Sequence, residues 1–227
     1  MTAVTHPRLA SRRSASGGTW WSKAVLRAVE EAAYSENDLR RGRALARAGA
    51  VGRITVDDGS AVAAVTDGQD AMTVTVTVPV LDRASAETFV ELVAAGAGRI
   101  GALLAGELPH PLVEDVEEAG VKLLPYGGEL GSACTCETWL DPCPHALAVL
   151  TQVAWLIQAD PFVLTHLRGF SREDVLRDLH ALTSAASGDR DEALDPGDDY
   201  AVAQDAAERA QRAVDLLAQG RPLDDLL

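Results

Sequence analysis

The chain has 227 residues, 47% hydrophobic and only 4% aromatic, a composition that suits one or two modest domains with a real core and excludes a disordered polymer. Lys and Arg number 20 against 34 Asp and Glu, and the formal net charge of -14 excludes a protein that coats nucleic acid over its whole surface. No run approaches the ~18 to 20 apolar residues of a membrane helix, and the N-terminus lacks an apolar leader core, so the chain is read as cytoplasmic with no membrane partner.

The charge is uneven along the chain. Residues 1–53 hold ten basic against four acidic residues, and residues 54–227 hold ten against thirty, so a polyanion contact is expected only near the amino end. Residues 1–18, rich in Ser, Arg, Thr and Gly without periodicity, read as a disordered basic arm. Two helices follow over Trp20–Ala33 and Ser35–Ala48, the second opened by Ser35 and closed by Gly49, and they carry Arg27, Arg40, Arg41, Arg43 and Arg47.

Val51–Val56, the turn Asp57-Asp58-Gly59 and Ser60–Thr66 read as strand, turn and strand, and Asp67-Gly68 leads into the alternating run Met72–Val80. That predicts an antiparallel meander with one buried face, on which the flanking helices pack. Asp82–Ala105 reads as a helix or a broken pair of helices, with Gly96, Gly98 and Gly101 as weak points, stopped by Pro109-His110-Pro111. A short acidic helix over Leu112–Ala119 and a strand over Val121–Leu124 come next. Beyond a cysteine-rich loop, helices are expected near 146–159, 162–167 and 172–182, the last capped by Ser171. The domain reading is an arm (1–18), an N-terminal α+β domain (19–110), a cysteine-rich region with its helices (111–183), an acidic linker (184–199) and a terminal helix (200–227).

All three cysteines fall within ten residues, in the segment Cys134-x-Cys136-x6-Cys143-x-His145. An odd cluster in an unexported chain is poor material for disulfides, whereas three thiolates and one imidazole are the count and chemistry of a closed tetrahedral zinc site. Four protein donors leave no open position, which makes the expected single zinc a structural clip rather than a catalytic ion. Packed thiols, another metal and a nucleophilic Cys143 beside His145 are the alternatives, the last lacking a third group to orient the imidazole.

The order C-x-C, short spacer, C-x-H opening the apolar run Ala146-Leu147-Ala148-Val149-Leu150 resembles the SWIM zinc finger. The Arg41-Gly42-Arg43 to Val56 segment and the stretch from Asp160-Pro161-Phe162 to Ser171-Arg172-Glu173-Asp174 resemble bacterial stand-alone SWIM proteins, extending the likeness over roughly residues 20–180. The resemblance implies a zinc-dependent, non-enzymatic module that binds DNA or protein as an accessory to an SNF2-type ATPase or helicase. The chain lacks a phosphate-binding G-x-x-x-x-G-K-[ST] sequence, so that motor is expected in a partner.

Within the zinc loop, Thr138 and Trp139 are candidate contact residues, because a loop tied at both ends presents an aromatic at little ordering cost; the competing reading packs Trp139 as a lid. Arg40, Arg41 and Arg43 are the candidate phosphate contacts. Of Trp20 and Trp21, one is expected to staple the first helix to the core. His110, His166 and His180 read as non-ligands, and Glu114, Asp115, Glu117 and Glu118 as a solvated face. A protein-interaction module without nucleic-acid contact is the rival function, and a thiol enzyme the remote one.

Overall fold

Alternating Val, Ile and Thr build a five-stranded antiparallel sheet in the computed structural model, which describes residues 3–12 and 17–193, with side chains to residue 185. The strands β1 (Val4–His6), β2 (Val51–Asp57), β3 (Ser60–Asp67), β4 (Asp70–Thr77) and β5 (Gly131–Cys134) lie side by side in that order. Val56, Ala61, Val65, Val74 and Val76 on the inner face are fully buried, whereas Val62 faces outward. One extra residue in β2 between Val51 and Ile54 forms a bulge, which lets both side chains reach the core despite their odd spacing.

The helices are α1 (Trp20–Ala32), α2 (Glu36–Ala48), α3 (Arg83–Ala95), α4 (Arg99–Leu104), α5 (His110–Glu118), α6 (Pro144–Ala159), α7 (Phe162–Leu167) and α8 (Arg172–Ala193). Their ends follow local chemistry. The Ser35 hydroxyl accepts from the Asp38 amide at 3.1 Å, and Gly49 closes α2 in the left-handed conformation at φ 71°. Of the two readings of 82–105, the broken pair holds: Gly96 and Gly98 separate α3 from α4. Pro109 and Pro111 open α5 rather than stop its predecessor, because a proline in the first turn loses no hydrogen bond.

At the centre lies α6, buried on nearly every side and packed against α1, α2 and the sheet. Gln152 Nε2 donates to the Ala46 carbonyl at 2.9 Å, tying α6 to the end of α2. Trp21 is the indole that staples α1 to the core, its Nε1 donating to the Ile157 carbonyl at 3.1 Å, while the partly exposed Trp20 reaches the Leu108 carbonyl at 3.1 Å. Gly42 permits the close crossing of α2 over the start of α6: a Cβ there would stand 2.6 Å from Leu147 Cβ and 2.9 Å from the Pro144 carbonyl oxygen.

Several expectations are corrected. Val4–His6, placed in a disordered arm, pairs with Ile54–Val56 as an edge strand, too short for periodicity to reveal. The boundary placed near residue 110 falls inside one unit spanning residues 1–180, since β5 pairs with β4 and α6 fills the core beneath the sheet. Val121–Leu124 is not a strand: Val121 and Leu123 are buried, but the Lys122 carbonyl accepts from Arg168 Nη2 at 2.6 Å instead of a neighbouring strand. The segment read as a linker is helical as far as Ala193, in keeping with its alanines. A second unit covers residues 181–227, and the helix expected over 200–227 lies outside the described residues. No helix among the described residues is long and apolar enough to cross a membrane.

Candidate metal centre

Three elements deliver four donors to one point. Cys134 ends β5, where pairing with Val74 fixes its position, and the Thr135 amide donates to the Thr73 carbonyl at 3.1 Å to extend the strand's hold. Cys136 follows in the loop, and its amide approaches Cys134 Sγ at 3.5 Å. Cys143 caps α6, its sulfur accepting from the Ala146 amide at 3.5 Å, and His145 lies in the helix's first turn. One ligand atom from each of Cys134, Cys136, Cys143 and His145 lies within 4.8 Å of the others.

The electrostatics favour a cation. Burial first pushes the Cys134 thiol up to about 12, Cys143 adding to the rise, and burial likewise raises Cys143 against the pull of the Ala146 amide. For Cys136 burial acts upward too, but the Thr138 amide, His145 and the neighbouring thiols outweigh it and bring the value down to about 7. Three thiols packed this closely cannot all ionise unaided, whereas a divalent ion would deprotonate all of them and use the four donors as a tetrahedral set. The donor set therefore fits zinc.

The ring orientation of His145 matters. Its Nδ1 faces the sulfurs of Cys134 and Cys143 at 3.8 and 3.9 Å, and its Nε2 lies 3.1 Å from Asp67 Oδ2 in the β3–β4 turn. Arg41 Nη2 donates to that same carboxylate oxygen at 2.7 Å. This hydrogen bond from Arg41 first, and then His145, holds the Asp67 carboxyl below the usual carboxylate range. The chain Arg41, Asp67, His145 is an outer layer that sequence reading missed. Asp67 was legible only as a turn residue, and nothing in the order of residues links it to a histidine 78 positions away.

The other candidate residues separate. Trp139 is 80% exposed and meets the 69% exposed Tyr34 edge-on at 5.5 Å, so it is not a buried lid. Thr138 is exposed and accepts from the Leu140 amide at 3.4 Å. Arg43 pairs with Glu30 and Arg41 with Asp67, while Arg40 makes no ion pair among the described residues. His110 packs at a tilt against Trp20, ring centroids 4.5 Å apart, and faces Glu114 at 3.3 Å, a surface role. His166, read from sequence as a non-ligand, has Asp57 and Asp58 close by.

A strand-end C-x-C, a loop and a C-x-H at the start of a buried helix define a small structural zinc-finger architecture. The model of the SWIM zinc finger family matches residues 117–154, which include all four donors, and the chain carries a SWIM zinc finger, a zinc-binding module. The chain is also similar to the "Uncharacterized protein Rv2102" of Mycobacterium tuberculosis, 32% identical over 174 residues, a match that takes in 75% of this chain and 62% of that protein. The chain thus spans less than two thirds of that relative's length. No solved structure matches.

Proposed function

We infer that this protein is a non-enzymatic adaptor in which one zinc, held by Cys134, Cys136, Cys143 and His145, fixes a recognition loop that engages DNA or a protein partner, as an accessory to an SNF2-type ATPase. The observation that carries this reading is Trp139, 80% exposed on the loop anchored at both ends by the donor cluster, with the 69% exposed Tyr34 of the α1–α2 connection packed edge-on against it. Two large aromatics left in water beside a rigid anchor suit a binding surface, since stacking or burial there costs little ordering. Four protein donors also leave no position at the metal for water or substrate, which supports a structural role.

A protein-only adaptor is favoured by a specific observation: Arg41 and Arg43 are already paired with Asp67 and Glu30, which leaves less free positive charge for phosphates. Tryptophan fluorescence and anisotropy titrations of the zinc-loaded chain with duplex DNA, single-stranded DNA and a purified SNF2-type ATPase test both. The adaptor reading expects saturable binding of at least one of these, weakened in Trp139→Ala and Tyr34→Ala with zinc content unchanged. Binding that ignores both substitutions would place the surface elsewhere.

A further inference from the structure

Away from the cysteines, the β2–β3 hairpin and α7 assemble a second group of metal-type donors. Asp57 ends β2, Asp58 follows in the turn and His166 lies in the last turn of α7, with one ligand atom of each within 4.8 Å of the other two. Hydrogen bonds hold the turn in place: the Gly59 amide donates to the Leu167 carbonyl at 3.0 Å and the Val78 amide to the Gly59 carbonyl at 2.9 Å, and the Asp57 side-chain Oδ1 accepts from the Asp58 amide at 2.9 Å. The turn is thereby docked on the C-terminal end of α7.

His166 is the unusual member. It is 5% exposed, yet Asp58 Oδ1 stands 3.7 Å from its Nε2, beyond hydrogen-bond range, and no hydrogen bond engages its ring among the described residues. A cavity of about 130 Å³ borders His166, lined also by His6, Asp160, Arg172 and Glu173 but by neither Asp57 nor Asp58. Burial holds the His6 pKa below its usual value, Asp160 opposing and His166 reinforcing the shift.

We propose that Asp57, Asp58 and His166 bind a divalent first-row transition-metal ion. Two carboxylates balance the charge of a dication, and a mixed oxygen and nitrogen set without thiolate selects differently from the Cys3His cluster. Metal bonds of about 2.0–2.2 Å place donors on a shared ion roughly 3–4 Å apart, so the present spacing needs only modest closure. The exposed Asp57 side chain supplies that closure by rotation. Such an ion would fasten the hairpin to α7 in the way that zinc fastens β5 to α6. The competing account is an imidazolium of His166 facing Asp58 at a helix C-terminus with no metal.

Manganese(II) distinguishes the two, because thiolate sites hold zinc against it while oxygen and nitrogen sites accept it. The zinc-loaded full chain is titrated with Mn2+ and the free ion read from its room-temperature electron paramagnetic resonance signal. The proposal expects saturable binding of one Mn2+ per chain, weakened at least about tenfold by Asp57→Asn and by Asp58→Asn, unchanged by Glu91→Gln, with zinc content constant throughout. Asp57→Asn is a surface change that keeps the oxygen accepting from the Asp58 amide, so the fold survives it. Non-saturating binding, no binding, or binding that survives both Asp substitutions overturns the proposal.

Discussion

His145 presents one ring nitrogen to the cysteine sulfurs and the other, Nε2, to Asp67 Oδ2 at 3.1 Å. That geometry assigns the roles of the two nitrogens: Nε2–H donates to the carboxylate, which leaves the Nδ1 lone pair for a metal. Arg41 behind Asp67 keeps the carboxylate charged and aimed. Removing the acceptor should loosen the ring and lower its basicity.

Asp67→Ala is therefore expected to weaken zinc binding about 10–100-fold with the fold intact, and Asp67→Asn, which keeps an acceptor oxygen, to weaken it less. Competition against a chromophoric chelator measures both. Unchanged affinity in the alanine variant would make the contact incidental.

Proton release offers a second check. The metal-free thiols sit at about 12 for Cys134, raised for Cys143 and about 7 for Cys136. A metal ligand must be a thiolate, so zinc uptake at about pH 8 should expel roughly two protons, from Cys134 and Cys143. Protons compete with the metal, so affinity rises with pH and falls more steeply below about pH 7, where Cys136 must also lose a proton. Calorimetry in buffers of different ionisation enthalpy reads the number directly, and zinc uptake without proton release would contradict the account.

The donor cluster was legible because all four donors lie within twelve residues, where spacing alone limits the geometry. The meander and α1, α2 and α6 were legible because their apolar periods are long and their caps, Ser35 and Gly49, are local. Contacts made across the fold left no such trace. Asp67 meets His145 only because β3 and β4 turn beside the start of α6, and Asp57, Asp58 and His166 meet only because the Gly59 turn docks on α7. Val121–Leu124 misled in the opposite sense: its alternation reflects burial of Val121 and Leu123, while the buried Arg168 takes the backbone acceptor a strand partner would have used.

The close crossing at Gly42 carries a stability prediction. Gly42→Ala forces a Cβ against Leu147 and the Pro144 carbonyl just ahead of His145, and overpacking of this kind should cost about 1–3 kcal/mol. Gly101→Ala in α4, where a Cβ meets nothing, should instead be neutral or stabilise by about 0.4–1 kcal/mol. Urea denaturation of the zinc-loaded chain compares them; equal effects would mean that α2 and α6 separate without penalty.

For DNA, the arginines divide by their partners. Arg40 is unpaired among the described residues, so Arg40→Ala should reduce the log-log salt slope of any duplex binding by about one and leave zinc affinity alone. Arg41→Ala should act on zinc affinity through Asp67, a readout that pure phosphate contact would not move. Equal effects of the two substitutions on both measurements would erase that distinction.

The most direct test of the zinc centre is the absorption spectrum of the chain loaded with cobalt(II) in place of zinc. Tetrahedral coordination by three thiolates and one imidazole predicts strong visible d–d bands and near-ultraviolet sulfur charge transfer at one equivalent of metal, reduced in Cys134→Ala, Cys136→Ala and Cys143→Ala alike. Weak octahedral bands without sulfur charge transfer, or a spectrum indifferent to any of the three cysteines, would contradict it.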